Sequence, residues 1–128
     1  MGSAALIIAA PGPLQDGLYA LVGTMPQIGA VSVASDAHSA LTVDLNPTPA
    51  LVLLDSGMTV DDLWLTVRGA KARWPRARTI VLVSNVQQQA EAEATGADTV
   101  LLEGLPAGRL VAAIVRLLPQ PVMSELES

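Results

Sequence analysis

Along this chain, short apolar runs alternate with segments of helical period, the pattern of repeated strand–helix units. The runs at 5–9, 30–34, 51–54, 79–84 and 99–102 predict five strands. Each is too apolar to leave one face in water, so helices are expected to cover both sides of the sheet. Pro13 suits a first helical turn, and Leu14, Leu18, Leu21 and Val22 then share a face. A second helix is expected to start at a capping Asp36, to bury Ala37, Ala40, Leu41 and Leu45, and to stop before Pro47. Thr59 is the expected cap of a third, whose apolar stripe is Val60, Leu63, Trp64 and Val67 and which ends near Trp74-Pro75. The stretch 86–95 predicts a fourth helix, with Gly96 as its stop. Leu110, Val111, Ile114, Leu117 and Leu118 mark a fifth, closed before Pro119 and Pro121.

Right-handed crossovers between five such units give a doubly wound α/β fold, most simply a five-stranded parallel sheet of flavodoxin-like order 2-1-3-4-5. In such sheets ligands belong at the carboxyl ends of the strands, which here gather Ala9, Ala10, Asp55, Ser84 and Glu103. The boundaries expected are a tail over 1–4, one domain over 5–119, and a frayed tail or linker over 120–128.

Composition narrows the chemistry. Of the 128 residues 51% are hydrophobic and 15% charged, enough apolar surface to fold one domain unaided. There is no Cys, so disulfides, thiolate metal sites and thiol nucleophiles are excluded. The single His, His38, has no Ser or Cys partner nearby in sequence and is expected to face solvent. A formal charge of −5 argues against direct nucleic-acid binding. The apolar runs fall well short of the roughly 20 residues of a membrane helix, so no spanning segment is expected and the chain reads as cytoplasmic. Met1-Gly2-Ser3 begins like a myristoylation signal, but Leu6 stands where that signal wants Ser or Thr. With no Gly-rich phosphate loop around the Pro11-Gly12-Pro13 turn, an enzyme is not expected. Arg68, Lys71, Arg73, Arg76 and Arg78 hold five of the seven basic residues; helix-end stabilisation and a solvated loop account for them, since no aromatic stacking platform accompanies the charges.

Several stretches stand in a fixed order: Ala5-Leu6-Ile7-Ile8-Ala9-Ala10 with Gln15-Asp16-Gly17-Leu18, then Ala34-Ser35-Asp36 with Ala40-Leu41, and Pro49-Ala50-Leu51-Val52-Leu53-Leu54-Asp55. Lys71-Ala72-Arg73-Trp74-Pro75 and Gly96-Ala97-Asp98 with Leu101-Leu102 complete the set. Together they resemble the receiver domain of bacterial response regulators, in particular the LuxR-type subgroup. The resemblance implies that Asp55 stands at the phosphoacceptor position, that Ser84 stands at the hydroxyl switch position, and that a histidine kinase is a possible partner. It also implies losses. The acidic pair that holds magnesium is replaced by Ala9 and Ala10, leaving Asp55 and the Gly57 carbonyl as weak metal candidates. The lysine that neutralises phosphoryl oxygens is replaced by Glu103, and the aromatic switch position is Val100.

Phosphoryl transfer relies on positioning and charge neutralisation, so a degenerate receiver is expected, one that acts through a protein partner or as a homodimer. No cofactor is expected, and Mg2+ only if Asp55 is functional. A further expectation is that Asp55 and Glu103 approach closely enough to share a proton or a cation, raising one carboxyl's pKa. Leu105, Leu110, Val111, Val115 and Leu118 on or near the fifth helix are candidate partner contacts. Two alternatives stay open: a phosphorelay receiver still phosphorylated at Asp55, and a small-molecule-binding domain using the crevice at the strand ends.

Overall fold

The computed structural model describes residues 3–42, 48–55, 60–104 and 106–118. Five strands, β1 (Ser3–Ile8), β2 (Ile28–Ala34), β3 (Pro49–Asp55), β4 (Arg78–Val83) and β5 (Thr99–Leu102), alternate with five helices. These are α1 (Pro13–Gly23), α2 (Ala37–Thr42), α3 (Val60–Arg73), α4 (Val86–Ala94) and α5 (Ala107–Leu117). The strands form one parallel sheet in the order β2-β1-β3-β4-β5, as the alternation predicts.

The strand period of two divides the core. Ala5, Ile7, Leu51, Leu53, Ile80 and Leu82 pack against Leu18 and Val22 of α1 and Leu110 and Ile114 of α5. On the other face Leu6, Ile8, Val52, Leu54, Val81 and Val83 meet Ala40 of α2, Leu63 and Val67 of α3, and Ala92 of α4. Helices thus cover both faces, and the three central strands are sealed. The edge strands are not. Gly29, Ala30 and Val33 of β2 are exposed, and all four residues of β5 are only half-buried, so the expectation that no strand has a wet face fails at both edges. A parallel strand is buried on both faces only where neighbouring helices overlap it, which the outermost strand of an open sheet lacks.

Local signals set the element ends. Asp36 caps α2 by accepting a 2.7 Å hydrogen bond from the Ser39 amide, which holds its carboxyl below its ordinary pKa. Gly96 has φ +92°, which only glycine adopts without strain, and ends α4. Trp74 is buried on the α3 side of the sheet and Ala77 donates to its carbonyl at 2.9 Å. Trp64 departs from the expected core stripe: it is half-buried, with the Arg68 guanidinium 5.5 Å from its ring centre. It lies one position beyond the buried Leu63, at the margin of the stripe, where the arginine one turn on covers the ring. His38 is exposed, as expected. The expected burial of the Ala37, Leu45 and Val60 side chains, the Thr59 cap, the Gly57 carbonyl, Leu105 and the closing Pro119 and Pro121 lie outside the described residues.

At the amino end of the sheet one carboxylate ties several elements together. Asp98 accepts from the Thr79 amide at 2.8 Å and its hydroxyl at 3.2 Å, and its own amide donates back to that hydroxyl at 3.2 Å. Lys71 of α3 and Arg78 of β4 approach the same carboxylate at 3.9 and 3.7 Å. Arg73 donates to the Leu41 carbonyl at 2.9 Å and lies over Trp74. Much of the basic run therefore serves the fold's own contacts, in keeping with its reading as structural.

Candidate functional site

The register of the sheet brings the sequence candidates to one edge. Ile8 pairs with Ala34 and with Leu54, Asp55 pairs with Leu82, and Val83 pairs with Leu102. The next residue of each strand, Ala9, Ser84 and Glu103, consequently emerges beside Asp55 at the carboxyl end. Glu103 is fixed there by its amide, which donates to the Val83 carbonyl at 2.7 Å. Gly104, at φ +88°, then turns the chain away toward α5.

Asp55 is half-buried at the tip of β3, and the Glu103 carboxyl lies close enough to feel it. Two carboxyl groups brought together disfavour ionising both at once. Glu103 carries the consequence: its carboxyl is raised above its ordinary pKa, first by partial burial, then by the hydrogen bond to Asp55, then by that group's charge. Glu103 as a residue is exposed, so water still screens its carboxyl and the effect is moderate in energy. The approach of the two acids expected from the sequence is thus present.

The remaining candidates fall around this pair. Ala9 is buried, with its amide donating to Ala34 at 3.0 Å and its carbonyl accepting from Gln15 Nε2 at 2.7 Å. Ala10 is exposed and offers a methyl group. Ser84 is exposed, and its amide donates to Gln88 Oε1 at 2.8 Å, while Asn85 Oδ1 accepts from the Gln88 amide at 2.9 Å. This reciprocal cap starts α4. Val100 is half-buried and packs against the α3 side of the core.

Magnesium demands hard oxygen ligands in near-octahedral array. Here two methyl groups stand where the receiver resemblance places acids, the Ala9 carbonyl is engaged by Gln15, and the Asp55 carboxyl is engaged by another carboxyl. These residues do not fit a magnesium ion, and among the described residues no group of three His, Cys, Asp or Glu side chains could hold one. Sequence inspection gave Gln15, Asn85 and Gln88 no role at this edge, reading 87–89 as an exposed helix start. The Asn85-x-x-Gln88 spacing is a capping-box signature and was legible; the reach of Gln15 back to Ala9 depends on the turn at Gly12 and was not.

Beside the carboxyl pair, α1 and α5 leave a groove of about 310 Å³ over the end of β5. Leu14, Gly17, Leu18, Leu21, Leu101 and Leu110 supply its apolar walls, and Glu103 and Arg109 lie in its rim. On the fifth helix Leu110 is buried and Val111 and Leu118 pack on the core, so of the apolar residues expected there to meet a partner only Val115 stays exposed among the described residues.

No protein-family model matches the sequence, and no curated protein matches it. Solved structures do. The chain superposes on the BeF3-activated DrrB receiver domain with a TM-score of 0.78 at 19% identity, over 94% of this chain and 100% of that one. A LuxR-family two-component response regulator from Aurantimonas sp. gives 0.78 at 19% identity, over 92% and 86%. NtrX from Brucella abortus, crystallised with ADP, gives 0.77 at 23% identity; there 99% of this chain matches 28% of the other. The chain has the receiver-domain fold of response regulators.

Proposed function

We propose that this chain is an atypical receiver-like signalling domain that acts by protein–protein contact in the cytoplasm, without magnesium-dependent phosphorylation of Asp55. The observation that carries this reading is the neighbour of Asp55: the sheet brings a second carboxyl group, Glu103, to the same edge, where the family resemblance has a lysine. A phosphoryl group on Asp55 would replace one negative charge with nearly two beside a residue that already resists ionising. Transfer to Asp55 depends on cations at the developing charge, and each lost electrostatic donor typically costs about 3 kcal/mol of transition-state stabilisation. Ala9 and Ala10 stand where the resemblance places the magnesium ligands and Glu103 where it places the lysine, so two such sources are missing at once.

The edge instead sets two carboxyl groups side by side, and the readout is a surface. Leu65 on α3, Val86 on α4 and Val115 on α5 are large apolar side chains left 66%, 70% and 46% exposed, available to a protein partner or a second copy. Intact-mass measurement after incubation with acetyl phosphate and magnesium tests the reading, with Asp55→Asn alongside. The expected result is no phosphoryl adduct on either protein; an adduct on the wild type that is missing from the variant would restore a phosphorylated switch.

A further inference from the structure

The groove between α1 and α5 reaches Glu103, one member of the carboxyl pair. The groove volume of about 310 Å³ falls at the lower end of the range of small-molecule sites, and its walls are apolar side chains with few polar groups, the composition such sites share. Gly17 contributes open space: a Cβ built at this exposed helix position meets no atom within 4 Å among the described residues. At one end stands Glu103, whose carboxyl faces a second acid, Asp55.

We infer that this groove binds a small amphiphilic amine, with its apolar body against Leu14, Leu18, Leu21 and Leu110 and its ammonium group on Glu103 beside Asp55. The charge of the head follows from the rim. An ammonium hydrogen-bonds the ionised Glu103 and offsets the repulsion between the two carboxylates, so the site gains more from a cation than an isolated surface acid does. An anionic head would meet that same repulsion, and Arg109, the one basic residue lining the groove among the described residues, is an exposed side chain already hydrated by solvent. The inference deepens the reading of the previous section and rests on it, because a phosphorylated Asp55 would leave no room for an ammonium-assisted carboxyl pair.

Three probes of equal length separate the contributions: hexylammonium, hexanol and hexanoate, titrated into the full chain by NMR. Hexylammonium is expected to saturate with shifts at Leu14 and Leu110 and to bind about fivefold tighter than hexanol, the increment of one partly exposed ion pair. Glu103→Gln should erase that preference while leaving hexanol unchanged. Gly17→Trp, which fills the groove from an exposed helix position, should abolish binding of both. Hexanoate binding tightest, hexanol equalling hexylammonium, or no saturable binding of any probe overturns the inference, as does hexylammonium binding that survives Gly17→Trp. Failure of these titrations without a phosphoryl adduct overturns the groove assignment alone, whereas an adduct on Asp55 overturns the reading beneath it.

Discussion

The two ends of the sheet handle their acids in opposite ways. At the amino end Asp98 receives hydrogen bonds from the amide and hydroxyl of Thr79 and lies near two cations, Lys71 and Arg78. At the carboxyl end Asp55 faces Glu103, with the methyl groups of Ala9 and Ala10 alongside. One acid is satisfied and ties three elements together; the other is set against its own kind at an exposed edge beside an open groove. Charge arranged against stability is characteristic of sites that bind or respond, whereas charge arranged for stability is a fastening.

Substitution should separate the two. The largest effect is expected at the fastening: Asp98→Ala strips the buried Thr79 of its partner and should destabilise the fold by about 1–3 kcal/mol in urea unfolding. A smaller loss, about 1 kcal/mol, is expected for Asn85→Ala, which removes the cap of α4 from the carboxyl end. Glu103→Gln should act in the opposite direction. The folded protein holds the Glu103 proton more tightly than the unfolded chain does, so the pair favours folding most below the ordinary value of 4.5. That contribution is lost as the pH rises through the raised value. Wild type should therefore fall behind Glu103→Gln as the pH is taken from 4 toward 7, by no more than about 0.5 kcal/mol given the exposure of the group. Melting temperatures of the two proteins across that range provide the check.

The same contrast marks how far the sequence could be read. Strand–helix alternation and fully apolar runs such as Leu51-Val52-Leu53-Leu54 carry the sheet and its order, because buried parallel strands leave no polar face. The same rule misleads at β2, where Ala30, Val31 and Val33 look like a central strand yet lie on an edge: composition reports apolarity, and position in the sheet is set by the crossovers. Trp64 fails for a related reason, since helical period places it at the boundary of the stripe and cannot say that Arg68 covers it. The meeting of Asp55 and Glu103 was legible only through topology, which sends the ends of β3 and β5 to one edge. Asp98 reads as a turn residue, and nothing local announces that its carboxylate reaches Thr79 across the neighbouring strand. The groove could not be foreseen, because it is the space two helices fail to fill.

The central claim is that the Glu103 carboxyl stands against Asp55 at the carboxyl edge, and a carbon-13 NMR titration of the Glu103 carboxyl in wild type and Asp55→Asn tests it most directly. The account predicts that Glu103 titrates above its ordinary 4.5 in the wild type and returns part of the way in the variant, the remainder being due to burial. Titration near 4.5 in both proteins would contradict it.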